Sequence, residues 1–213
     1  DPRGVVEVPL EGEEEPLRLL RCAAIYGPNA SGKSTVLRAA SALGFLIRHS
    51  ATFPSDEEIG PFEPFLLDNE SASDPVHLGV IAVIDGQIYE YSVAFSDSRI
   101  AEERLAQIGP GRETVLIDRH EQDVTGSWTS DRQYSLVLDS FRPNALLLSL
   151  ADALAPALAK GIAVGIRQLL LFHDNAEVSA FTWHTSPVAS RAAEDSGGFG
   201  EWLTRWLRRA DFG

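Results

Sequence analysis

Apolar and polar positions alternate along residues 76–95, where Tyr89, Tyr91, Val93 and Phe95 interleave with Glu90, Ser92 and Ala94, and a period of two predicts strands. Asp85-Gly86 splits the stretch as a two-residue hairpin turn, giving strands over 76–84 and 87–95. Turns at Asp97-Ser98 and Gly109-Pro110-Gly111 set off a third strand over 100–108 and a fourth over 113–118. Ahead of this meander, residues 4–10 read as a short strand and residues 11–16 as an acidic turn. Residues 17–26, ending in Ala23-Ala24-Ile25-Tyr26, read as a buried strand. The period then lengthens: Val36, Leu37, Ala40, Leu43, Gly44 and Ile47 fall on one face of a helix. Residues 51–75 form a long connection with an apolar plug at Phe62, Phe65, Leu66 and Leu67. Beyond residue 140 the pattern is helical over 144–160 and 161–172. After a flexible link at 186–198, a last helix over 199–209 carries Phe199, Trp202, Leu203, Trp206 and Leu207 on one face.

Between the second strand and the first helix stands Gly27-Pro28-Asn29-Ala30-Ser31-Gly32-Lys33-Ser34, which fits the phosphate-cradling loop G-x-x-x-x-G-K-[ST] in its proper context. Each residue type has a physical task. The glycines let the backbone turn tightly and bring its N–H groups to phosphate oxygens, and the helix N-terminus adds unpaired donors and positive potential. Lys33 reaches the β- and γ-phosphates as a point charge, Ser34 offers a hydroxyl to Mg2+, and Thr35 approaches the α-phosphate. The site read from sequence is therefore Asn29, Ala30, Ser31, Gly32, Lys33, Ser34 and Thr35, with ATP and Mg2+ as its ligands and Ser34 as the metal ligand.

Charge narrows the choice of partners. With 18 basic against 31 acidic residues the chain carries a net charge of −13, which argues against a broad nucleic-acid-binding surface and leaves only local contacts. Cys22 is the one cysteine and reads as a small buried hydrophobe. No run is long enough to span a membrane, so the chain reads as soluble and cytoplasmic; residue 1 is Asp, which puts the natural N-terminus out of view. The five histidines, His49, His77, His120, His173 and His184, lack metal-ligand spacing. His173-Asp174 reads as a helix end, and Asp211-Phe212-Gly213 matches a kinase metal motif without the catalytic loop that should precede it.

Hydrolysis asks for more than a phosphate loop: a strand ending in a metal-binding Asp and a carboxylate that activates water. Four apolar runs end in Asp, at Asp85, Asp118, Asp139 and Asp152, and none is followed by Glu. No catalytic residue is assigned.

The stretch from Ile25 to Thr35 resembles the loop of ABC-class ATPases in the RecF, SMC and OLD (overcoming lysogenisation defect) branch. Phe62-Glu63-Pro64-Phe65-Leu66-Leu67-Asp68, the hairpin from Ile84 to Tyr91, Ile100-Ala101-Glu102-Glu103-Arg104-Leu105 and Asn144-Ala145-Leu146-Leu147-Leu148-Ser149 are similar to segments of that branch's bacterial stand-alone AAA family ATPases. Many of those are associated with abortive infection and phage defence. The resemblance implies an α/β P-loop NTPase (ABC-type) N-terminal lobe with an antiparallel β-subdomain followed by a helical arm, divided as residues 1–140 and 141–213. It also implies ATP sandwiched in a homodimer, with an effector nuclease or another protein as partner. A signature motif, an Asp-Glu pair and a switch histidine are expected of such an enzyme and do not appear, so the chain reads as the N-terminal half of one. The rival reading is a nucleotide-responsive scaffold. A self-contained P-loop kinase or GTPase using Asp118 or Asp139 is a third, opposed by the absence of an Asn-Lys-x-Asp guanine reader.

Overall fold

The computed structural model describes residues 4–170 except 11, 13, 21, 22, 30 and 64–73. Residues 1–172 form one compact unit, and residues 173–213 form a second, which lies outside the described residues. Phe65, Leu66 and Leu67 of the plug, Cys22, Ala30, His173, His184 and the expected helix over 199–209 all fall outside the description as well.

The meander follows the alternation. Strands β3 (Val76–Ile84), β4 (Gln87–Phe95), β5 (Ile100–Gly109), β6 (Arg112–His120) and the short β7 (Asp123–Thr125) pair antiparallel in chain order. Asp85 and Gly86 both take positive φ in the hairpin turn, as a type with two left-handed positions requires. Tyr91, Val93, Phe95, Leu105 and Ile117 point into the core. β7 is an addition that the sequence reading missed.

Separately, β1 (Val5–Val8) and β2 (Leu17–Leu20) make a two-stranded antiparallel ribbon. The buried strand expected over 17–26 is thus only four residues long, and it is open: Leu20 is 71% exposed, Ile25 60% and Tyr26 90%. The physical reason is the partner. Among the described residues β2 pairs with β1 alone, and no parallel neighbour covers its continuation.

Helix α1 (Lys33–His49) packs its C-terminal half inward through Leu43, Leu46 and Ile47, each worth about 1.5–3 kcal/mol when fully buried. Its first turns stay open, with Val36 and Leu37 about half exposed. After α2 (Ser135–Asp139), the single helix expected over 144–160 is corrected to a break: α3 (Leu147–Leu154) ends at Ala155 and α4 (Pro156–Leu169) begins on Pro156. Proline lacks the N–H that a continuing helix would use, yet suits the first helical position. Both helices pack on α1, and α4 lies on β3 so closely that a side-chain carbon on Gly165 would come within 2.8 Å of Ile84.

Candidate functional site: a phosphate loop at the start of α1

After β2 the chain runs irregularly through residues 23–28 and turns at Ser31, whose N–H donates to the Pro28 carbonyl at 3.3 Å. Gly32 caps the helix with φ 85° and ψ 4°, a left-handed conformation that favours glycine. Its carbonyl accepts from Thr35 at 3.0 Å and Val36 at 3.3 Å, so the amides ahead of Thr35 stand outside the helix's own ladder. No acidic residue occupies the first turn, while Arg48 and His49 sit in the last. The positive end of α1 is left open to an anion.

The loop closes around its lysine. The Lys33 ammonium donates to the carbonyls of Gly27 at 2.7 Å and Pro28 at 2.6 Å, and to Ser31 Oγ at 3.4 Å. Gly27 is hemmed in, for a side-chain carbon there would sit 2.6 Å from Ser31 Oγ. Asn29, Ser34 and Thr35 are exposed on the same loop and first turn; Ala30 lies outside the described residues. Mg2+ prefers oxygen ligands, keeps waters and shares phosphate oxygens. The donor set fits that habit: Ser34 presents an exposed hydroxyl that spends no hydrogen bond among the described residues.

The four aspartates considered as metal carboxylates sit elsewhere in the fold. Asp85 turns the β3–β4 hairpin, and Asp118 lies within β6 with its Oδ1 3.3 Å from His120 Nε2. The apolar runs ending in Asp139 and Asp152 are helical, in α2 and α3, and Asp152 pairs with Arg167 at 2.8 Å. A cleft of about 260 Å3 opens on the sheet, lined by His77, Glu102, Arg104, Asp118 and His120 with their neighbours. His120 lies against Glu102 and Asp118, Arg104 pairs with Glu90 and Glu113 beside the cleft, and no three-ligand metal group exists among the described residues.

Away from the loop, a buried polar cluster holds the start of α3 to the sheet. Glu103, fully buried on β5, accepts from the Leu147 N–H at 2.6 Å, the Leu148 N–H at 2.9 Å and the Tyr91 hydroxyl at 2.9 Å, which makes it the cap of α3. Burial pushes its carboxyl above the usual range, against the pull of Arg119 and those donors. Arg119, its partner across β5 and β6, donates to the carbonyls of Glu121, Ala145 and Pro143 and lies 4.4 Å over the Phe141 ring. Burial lowers its guanidinium and raises the hydroxyls of Tyr91 and Tyr134. Sequence reading assigned no role to Glu103 or Arg119. Their parity was the available signal, since each shares a face with a buried neighbour two residues away, Leu105 or Ile117.

Comparison with protein families matches residues 22–175 to the family described as "AAA domain, putative AbiEii toxin, Type IV TA system". Comparison with curated proteins and with solved structures finds no match. The matched stretch takes in the phosphate loop, the antiparallel meander and both packing helices, and on that extent the chain belongs to this AAA-domain family of P-loop, nucleotide-binding ATPases.

Proposed function

We propose that this chain is the ATP-binding portion of an ABC-class ATPase of the RecF, SMC and OLD branch, holding MgATP at residues 27–35. The observation that carries the reading is the loop itself: left-handed Gly32 opens α1, and the Lys33 ammonium is held over the loop by the Gly27 and Pro28 carbonyls. On binding, Lys33 exchanges those carbonyls for β- and γ-phosphate oxygens, the amides of the first turn take further oxygens, and Ser34 holds Mg2+.

On this reading turnover takes a carboxylate pair from outside the described residues, since none of the four candidate aspartates adjoins the loop in the chain or on its helix. The exposed Ile25, Tyr26, Val36 and Leu37 flank the loop and support a site completed by further protein, as in a head-to-tail homodimer with ATP between subunits. The family's description, with its AbiEii toxin and type IV toxin–antitoxin system, supports a role of abortive-infection type; a cytoplasmic setting and an effector nuclease or another protein as partner belong to the same proposal. Any nucleic-acid contact is local, given the net charge of −13.

Calorimetric titration of wild type and Lys33→Ala with MgATP tests the binding step. Equal affinities would sink it. The alternative, a nucleotide-responsive scaffold without turnover, is favoured by the lack of a Glu after any of the four apolar runs that end in Asp. Phosphate release separates the two: on the ATPase reading the 213-residue chain is silent alone and active once complemented by the missing motifs. Silence under complementation favours the scaffold, and Lys33-dependent release by the chain alone removes both.

A further inference from the structure

We infer that residues 142–149 are a relay through which nucleotide occupancy at the phosphate loop is felt by the five-stranded sheet, with Glu103 as its positioning residue; this rests on the nucleotide reading above. The argument begins with α1, whose 17 residues make a rod of about 25 Å with the phosphate loop at one end. A tilt at Lys33 is therefore delivered to Ser50 and Ala51. Those residues hold the relay directly: the Leu146 N–H donates to Ser50 Oγ at 3.1 Å, and the Ala51 N–H donates to Ser149 Oγ at 3.1 Å. Arg142 donates to the Ala51 carbonyl, and the Asn144 amide donates to the carbonyls of Pro54 at 2.6 Å and Glu57 at 3.0 Å.

The same eight residues are bound as firmly on their other side. Leu147 and Leu148 donate to Glu103, and Arg119 donates to the carbonyls of Ala145 and Pro143. Ile100, at the start of β5, also donates to Pro143 at 2.8 Å. The segment is thus tied by hydrogen bonds to the end of α1 on one side and to β5 and β6 on the other. Buried polar bonds are costly to leave unmade, so such a segment follows both neighbours or exchanges whole sets of partners; it does not stretch.

Spare partners exist for such an exchange. The Tyr134 hydroxyl, Arg142 Nε and Asn144 Oδ1 are buried and make no hydrogen bond in this arrangement. Two of the three belong to the relay. Tyr134 feels the charge of Glu103 at its sheet end. These unmet buried groups are the partners that the relay's second arrangement would take up, and two discrete arrangements are what coupling between distant sites needs.

Hydrogen exchange of the whole chain, followed by peptide with and without MgATP, tests the relay. In wild type, MgATP slows exchange in residues 27–37, in residues 142–150 and in β5, the last two by about tenfold, the size of an ordinary coupling between sites. Glu103→Gln keeps the response at 27–37 and an unchanged ATP affinity by calorimetry, and loses the response in β5. Ser50→Ala, which cuts the relay at the α1 end, does the same, and it decides the matter if Glu103→Gln does not melt cooperatively. A wild-type response confined to 27–37 overturns the relay alone, as does a β5 response that survives the substitution. No response anywhere, with no heat of ATP binding, overturns the nucleotide reading and the relay with it.

Discussion

Glu103 and Arg119 face each other across β5 and β6, and they hold one short stretch of chain by its opposite polarities: Glu103 takes the N–H groups of Leu147 and Leu148, Arg119 the carbonyls of Pro143 and Ala145. An acid and a base in register thus read the two signs of the backbone at the start of α3. Neither residue touches the phosphate loop. Together they fix the helix layer on which α1 rests.

Lys33→Ala is expected to weaken MgATP binding by about 10- to 150-fold, corresponding to the about 1.5–3 kcal/mol of a charged hydrogen bond. The fold should survive, because Lys33 bonds only within its own loop. Thermal unfolding checks both points. MgATP at about 100 times its dissociation constant should add about 2.7 kcal/mol to wild type and far less to the variant.

Gly32→Ala places a side chain at φ 85° and is expected to cost about 1–2 kcal/mol, the penalty of the left-handed region. Nothing lies within 4 Å of the added carbon, so the cost comes from the backbone and not from crowding. Relief by distorting the helix start would disarm the anion site. Binding should fall by more than unfolding does, and a variant with wild-type affinity would refute the strained-cap account.

Gly126 combines both penalties, with φ 114° and the Leu116 carbonyl where a side-chain carbon would stand. Gly126→Ala should destabilise the sheet end by about 3 kcal/mol or more. Urea unfolding measures it. A loss under 1 kcal/mol, on the order of an ordinary surface change, would mean that the turn can relax.

The pH dependence of stability carries the mark of Glu103. Its folded carboxyl lies above the ordinary 4.5, so the native state binds that proton more tightly than the unfolded chain does. Stability from this group is then greatest below the unfolded value, falls as pH rises through the raised folded value, and is flat beyond it. Glu103→Gln has no such slope. The unfolding free energy of wild type minus that of Glu103→Gln should fall as pH rises across that window, and parallel curves would exclude the raised carboxyl.

How far the sequence disclosed this structure depends on the range of the interactions concerned. Asp85-Gly86 and the alternation around Tyr91 are local signals, and the β3–β4 hairpin follows them residue for residue. The phosphate loop was equally plain, since its glycines, lysine and helix are contiguous. Pro156 was also a local signal, hidden in a continuous Leu/Ala run that reads as one helix. Glu103 is different: an acid on a strand looks solvated until Leu147 and Leu148, 44 and 45 residues onward, supply the amides that it accepts. The strand over 17–26 failed for the complementary reason, because apolar residues promise a partner without naming it.

The ties between Ser50 and Leu146 and between Ala51 and Ser149 span 96 and 98 residues. The meander, by contrast, closes between neighbours in the chain. On the ribosome the sheet therefore has its contacts as soon as it emerges, while α1, made earlier, meets β3 first and waits for α3 and α4 to complete the cover of its C-terminal half. The nucleotide loop is born early and seated late. Between His49 at the end of α1 and Leu147 at the start of α3, the growing protein carries its phosphate-loop motif on a helix whose floor is unfinished.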